Sequence, residues 1–237
     1  IEALGQGGMG VVWLAHDQRL DEDVALKLVP PEIRTDAGAL EDLRQETLRS
    51  RKLSHPNIVR LHDLNEFPGE PPFISMEFVD GQTVAAFKAQ QPQRLFTWEQ
   101  VRPMIRQLCE ALEYAHGEKV VHRDLKPMNM MLDRRGRLKL ADFGLAAVVS
   151  ELTSRVSLKA STSGTPAYMS PQQMDGRMPR VTDDIYALGA TLYELLTSKP
   201  PFYHGDIPHQ VRNLPPDSLE QRLAELELSN AVPPFVS

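Results

Sequence analysis

The sequence predicts an α+β chain in two unequal parts: a small antiparallel sheet with one main helix, then a larger, mainly helical region. Three observations carry this reading. Strand-like runs rich in β-branched and aromatic residues crowd the stretch before Asp80. After Asp80-Gly81 the apolar residues switch to helical spacing. The 237 residues, 41% of them hydrophobic, suffice for one sizeable core or for two modest ones that share an interface.

In chain order, Ile1 to Leu4, Val11 to Ala15 and Val24 to Val29 read as strands, the third ended by Pro30-Pro31. From about Gly38 to Leu53 the pattern is helical, with Leu40, Leu43 and Leu53 apolar among charges. Two further strands, Ile58 to Leu64 and Phe73 to Val79, flank the turn-prone Pro68-Gly69-Glu70-Pro71-Pro72. The two parts are accordingly placed at 1–79 and 80–237. In the second, Thr97-Trp98-Glu99-Gln100 has the form of a capping box with Pro103 tolerated in the first turn. Val101, Met104, Ile105, Leu108, Leu112 and Ala115 follow at helical spacing. A helix from about Asp184 to Leu196 is apolar on most sides, through Ile185, Leu188, Leu192, Leu195 and Leu196, and is expected to be buried. Leu219 to Leu228 is helical again, and the irregular stretch from Leu145 to Pro171 has a length typical of functional or disordered loops.

Composition excludes several classes. A net charge of −6 and a pI near 5.7 give no support to a nucleic-acid binder. The single cysteine, Cys109, rules out an intramolecular disulfide framework and suits a reducing compartment. Its place in an apolar helical pattern predicts a buried structural thiol. No apolar run approaches the roughly 20 residues of a spanning helix, and no signal-peptide pattern opens the chain, so the stretch reads as soluble. A start at Ile1 and a stop at Ser237 without a capping signal suggest a piece of a longer protein.

Chemistry concentrates in a few motifs. Gly5-Gln6-Gly7-Gly8-Met9-Gly10 fits G-x-G-x-x-G, and because Val11-Val12-Trp13-Leu14 continues as a strand it suits a hairpin folding over phosphates. Lys27 closes an apolar strand, and Glu46, nineteen positions later on the only helix of this part, is its expected ion-pair partner. His122-Arg123-Asp124-Leu125-Lys126-Pro127-Met128-Asn129 is the strongest signal. There Asp124 can accept a hydroxyl proton, Lys126 can neutralise a moving phosphoryl group, and Asn129 can offer a carbonyl oxygen to magnesium. Asp142-Phe143-Gly144 supplies a second hard oxygen ligand.

With these residues in order, and with Gly164-Thr165-Pro166-Ala167-Tyr168-Met169-Ser170-Pro171 after them, the chain resembles the eukaryotic-like serine/threonine protein kinases of bacteria. The resemblance runs over nearly the whole chain, through His55-Pro56-Asn57, Met76-Glu77-Phe78-Val79 and Asp184-Ile185-Tyr186-Ala187-Leu188-Gly189. It implies a bilobal protein-kinase-like fold, N-lobe 1–79 and C-lobe 80–237, apparently short of its last helices. It implies Mg-ATP, with Mn2+ as an alternative ion, and protein substrates with Ser or Thr acceptors.

Carried over by residue, the glycines Gly5, Gly7 and Gly10 cover the nucleotide, Val12 and Ala25 pack on adenine, Met76 stands as gatekeeper, and Glu77 and Val79 bind its edge through the backbone. Thr165 would bridge Asp124 and Lys126, while His122, Phe143 and Asp184 form a structural spine. Arg123 would await a phosphate on the segment holding Thr153, Ser154, Ser157, Ser161, Thr162 and Ser163, with Ser161 to Ser163 the expected autophosphorylation sites. Self-association for autophosphorylation and a cytoplasmic setting, or the cytoplasmic domain of an anchored protein, follow from the same resemblance. Ser170-Pro171-Gln172 stands where the family usually has Ala-Pro-Glu, and the helical part is expected to be poorly stable without its final helices. The alternative is a pseudokinase serving as a nucleotide-binding or scaffolding module, but Lys27, Asp124, Asn129 and Asp142 are all present.

Overall fold

The computed structural model describes residues 2–7, 10–143 and 166–233. Strands β1 (Glu2–Gly7), β2 (Gly10–Asp17), β3 (Glu22–Leu28), β4 (Leu61–Asn65) and β5 (Phe73–Glu77) form an antiparallel sheet in the order β1-β2-β3-β5-β4. Val12 lies opposite Lys27, Ala25 opposite Met76 and Lys27 opposite Ile74. Side chains alternate between faces along a strand, so these five share one face. Pro31 opens the short helix α1 (Pro31–Arg34), and α2 (Ala37–Ser50) starts where the Asp36 carboxylate accepts from the Ala39 N–H at 3.0 Å. Ile33, Ala39 and Leu43 from these helices pack with Ala25, Ile74 and Met76 in one apolar cluster.

The second part holds β6 (Gly81–Thr83), β7 (Met130–Asp133) and β8 (Leu138–Leu140) as a small antiparallel sheet, which the sequence reading did not foresee. Its helices are α3 (Val84–Gln90), α4 (Trp98–Gly117), α5 (Pro171–Met174), α6 (Val181–Thr197), α7 (Ile207–Asn213) and α8 (Leu219–Glu225). The expected capping box opens α4, with Thr97 accepting from the Gln100 N–H and Gln100 returning to the Thr97 N–H. Leu108, Leu112, Leu125, Met130, Leu140, Leu195 and Leu196 fill the core between α4, α6 and the small sheet. Gly81 is required where it stands, because a Cβ there would lie 1.9 Å from the Leu132 carbonyl oxygen.

The His55-Pro56-Asn57 corner stitches the parts together. The Asn57 amide donates to Leu138 O at 2.8 Å, Val59 N donates to Leu140 O at 2.9 Å, and Leu140 N donates to Asn57 O at 2.8 Å. Two burial expectations fail. Cys109 is exposed, since one residue beyond buried Leu108 is a rotation of about 100° off the core-facing stripe, beside Glu110. Ile185 is 55% exposed, so α6 turns its first apolar residues outward instead of burying them all round.

Candidate active site

The catalytic loop is held from behind by a buried carboxylate. Asp184, 1% exposed on α6, accepts from His122 N at 2.8 Å and Arg123 N at 2.9 Å and bonds His116 Nε2 at 2.7 Å. Arg123 thereby keeps a left-handed backbone, φ 69°, unusual for a residue with a Cβ. His122 is fully buried, packs edge-on against Phe143 at 4.7 Å and bonds Ala141 O. The spine expected of His122, Phe143 and Asp184 is thus one contiguous buried unit.

On this support the polar groups converge. Lys126 Nζ lies 3.0 and 2.8 Å from the two Asp124 carboxylate oxygens. The Asn129 amide donates to Asp124 O at 2.7 Å and to Asp124 Oδ2 at 2.9 Å, which leaves its carbonyl oxygen free to meet a cation. Asn129 O in turn accepts from Ala141 N at 2.8 Å, placing Asp142 alongside, and Asp142 Oδ1 stands 2.7 Å from Lys27 Nζ. Burial alone would raise the Asp142 pKa, but the Lys27 ammonium, with His122 and Lys126 beyond it, holds the carboxyl below its ordinary range. Lys27, Asp124, Lys126, Asn129 and Asp142 therefore form one connected set drawn from both parts of the chain.

The expected Lys27–Glu46 pair is corrected. Glu46 is buried on α2 and pairs with Arg49 at 3.2 Å, one turn along its own helix, while the ammonium takes the nearer Asp142 carboxylate. Ala25 and Met76 belong to the apolar cluster of the larger sheet, with Val12 packed against it, and Met76 and Val79 are each 8% exposed. Glu77 N donates to Arg60 O, and the Glu77 side chain pairs with Lys139 at 2.8 Å. Gly7 and Gly10 face one another as the last pair of the β1–β2 hairpin, with Gly5 within β1. Gly8, Met9, Gly144, Thr165 and the hydroxyls Thr153, Ser154, Ser157 and Ser161 to Ser163 lie outside the described residues.

Three contacts escaped sequence reasoning. Ser50 on α2 donates to Phe143 O at 2.9 Å, and Gln173 donates to Arg123 O at 2.9 Å. Ser170 donates to buried Asp183 at 2.6 Å. The last two anchor the segment around Pro171, where Gln172 itself is exposed. A cavity of about 1000 Å3 opens on the far face of the larger sheet, lined by His16, Arg51, Arg60 and His62, and Glu77 is the one site residue on its wall.

A two-lobed α+β fold whose junction holds this aspartate, lysine and asparagine set defines the class of phosphoryl-transfer enzymes that act from a cleft between lobes. The chain belongs to the protein kinase family, whose domain description matches residues 1–231. It is 38% identical over 208 residues to the probable serine/threonine-protein kinase SCO3848 of Streptomyces coelicolor, covering 86% of this chain and 30% of that protein. It is 37% identical over 213 residues to the serine/threonine-protein kinase PknB of Mycobacterium tuberculosis, covering 89% of this chain and 34% of the relative. The chain thus spans about a third of the length of these relatives. The crystal structure of the M. tuberculosis PknI kinase domain superposes with a TM-score of 0.74 at 28% identity, over 93% of this chain and 78% of that one. The fold is therefore the bilobal protein-kinase fold, and the family generally uses ATP and Mg2+. No helix among the described residues is long and apolar enough to cross a membrane.

Proposed function

We propose that this chain is the catalytic domain of an ATP-dependent serine/threonine protein kinase that transfers the γ-phosphoryl group of Mg-ATP to Ser or Thr hydroxyls of proteins. The observation that carries the reading is the connected set Lys27–Asp142 and Asn129–Asp124–Lys126. Asp124 accepts the proton of the attacking hydroxyl as its oxygen bonds to the γ-phosphorus and the bond to the β-bridging oxygen breaks, releasing ADP. Lys126 and Lys27 meet the charge on the transferred group and on the α and β phosphates. Catalysis is mostly positioning and charge neutralisation.

Two hard oxygens, from Asn129 and Asp142, fit an ion that keeps waters and shares phosphate oxygens, as Mg2+ or Mn2+ does. Asn129 and Asp142 would hold that ion, and it would supply positive charge against the phosphates. Val12, Ala25, Met76, Glu77 and Val79 serve adenine, Gly5, Gly7 and Gly10 cover the phosphates, and the Thr165 hydroxyl bridges Asp124 and Lys126. Activation comes from phosphate on Ser161, Thr162 or Ser163 meeting Arg123, whose buried Nε lacks a partner among the described residues. Copies associate for that step, in the cytoplasm or on the cytoplasmic side of an anchored protein. Labelled phosphate transfer to a generic protein substrate, compared with Asp124→Asn and Lys27→Met, tests the assignment. Transfer unaltered by Asp124→Asn would refute the roles, and binding of nucleotide without any transfer would favour the pseudokinase reading.

A further inference from the structure

The cavity of about 1000 Å3 on the far face of the larger sheet is separate from the catalytic set: none of Lys27, Asp124, Lys126, Asn129 and Asp142 lines it. Its floor is apolar. Ala15 on β2, Val24 and Leu26 on β3 and Phe73 on β5 supply it, because alternate residues of a strand point to opposite faces and these point away from the Lys27 side. The volume matches the upper range of small-molecule pockets, roughly 300–1000 Å3.

Charge on the walls is unevenly placed. Asp17 and Glu22 face one another as the end pair of the β2–β3 hairpin, and the Asp17 carboxylate already accepts from Arg19 N at 2.8 Å and Leu20 N at 3.1 Å. His16 is held at the same end by Asp21 and Asp23. Glu77 is satisfied too, with Lys139 Nζ 2.8 and 3.0 Å from its two oxygens and Arg60 N donating at 3.1 Å.

On the other side of β5, along the edge strand β4, stand Arg60 and His62. Neither side chain has a hydrogen-bond or ion-pair partner among the described residues. The β4–β5 register slips between Leu61 and Asp63, which makes His62 the extra residue of a bulge, an irregularity that re-aims a side chain. His55 adds a third donor: its Nδ1 accepts from Asn57 N at 3.2 Å, so the neutral ring carries its proton on Nε2. Arg51 is tied only by an exposed pair to Asp63 at 3.3 Å, weak enough to let it turn. The unmatched charge at this end is therefore positive, in a chain whose net charge is −6.

We propose that this cavity binds a small organic anion, its apolar body on Ala15, Leu26 and Phe73 and its anionic head against Arg60, His62 and His55. Burial of the body supplies most of the affinity, and the charged donors fix the orientation. The site goes beyond the kinase reading and does not depend on it.

The test titrates the chain, in excess ATP, with anilinonaphthalene sulfonate, an anionic amphiphile, and with phenylnaphthylamine, its uncharged analogue. Fluorescence should show a single saturable sulfonate site per chain, about tenfold tighter than the neutral probe. Arg60→Gln should weaken the sulfonate about tenfold and His62→Gln less, both leaving the neutral probe unmoved. Glu22→Gln, at the hairpin end, should change neither. Absence of a saturable site, displacement by ATP, or an equal loss in Glu22→Gln overturns the proposal. So does a dimer in sedimentation velocity that Arg60→Gln dissociates while no probe binds, since the face would then belong to a second copy. Should Arg60→Gln fail to fold, His62→Gln carries the comparison.

Discussion

Replacing Asp184 by Asn tests how the catalytic loop is held. The carboxylate accepts two backbone N–H groups, from His122 and Arg123, and bonds His116, all between 2.7 and 2.9 Å. An amide keeps only one acceptor oxygen. In the cheaper orientation that oxygen serves His122 and His116, and the new NH2 faces the Arg123 N–H. The Arg123 N–H and the new NH2 are then both unpaired, at about 1–3 kcal/mol each, and the two remaining bonds lose charge assistance worth roughly 1 kcal/mol each. Arg123 also loses the bond that keeps it at φ 69°, a conformation that costs about 1–2 kcal/mol for a residue with a Cβ. These effects are not additive, so a net loss of about 3 kcal/mol is expected, a large share of a typical domain's stability. Urea unfolding followed by far-UV circular dichroism reads the stability, and phosphate transfer by the still-folded fraction reads the loop. A loss under about 1 kcal/mol with unchanged transfer would show that the loop is held by something other than Asp184.

Asp124→Asn should cut transfer by roughly 10^2 to 10^4 while nucleotide binding, read by quenching or calorimetry, persists. Lys27→Met should lower both transfer and stability at neutral pH, because Asp142 loses its ammonium partner at 2.7 Å. The sign follows from the depressed Asp142 pKa: its stabilisation is present above the unfolded carboxylate pKa and is lost as pH falls through the lower folded one. The gap between wild type and Lys27→Met in urea melts should therefore narrow below roughly pH 4, and a gap that widens in acid contradicts the pairing. Gly81→Ala should cost about 2–4 kcal/mol, seen as a lowered Tm, since its Cβ would fall 1.9 Å from Leu132 O; an unshifted melt would show that β6 moves freely.

Much of the site was legible in the sequence because its residues are clustered and chemically unambiguous: Asp124, Lys126 and Asn129 share one loop, and Asp142 follows a short hairpin. Strands β2 and β3 were likewise legible, whereas the register that puts Val12 opposite Lys27 is visible only in the folded sheet. Partner choice was not legible. Lys27 has two carboxylates within the fold's reach, and only coordinates show that Asp142 takes it while Arg49 takes Glu46. The β6–β8 sheet was missed because strands of three or four residues carry too little periodicity. Lys88 and Glu194, an ion pair between α3 and α6, lie 106 positions apart, yet each left a trace: Lys88 follows buried Val84 by one helical turn, and Glu194 falls within the run Leu192-Tyr193-Glu194-Leu195-Leu196. A charge on a core-facing stripe is the signal that would have found them.

The outward phase of Cys109 has a practical corollary. As the chain's sole sulfhydryl it offers a unique covalent handle, on the solvent side of α4. Partial burial, with Glu110 and Glu113 close by, pushes its pKa up, so alkylation accelerates as the medium becomes more alkaline. A fluorophore attached there would watch the larger lobe from the solvent side of α4.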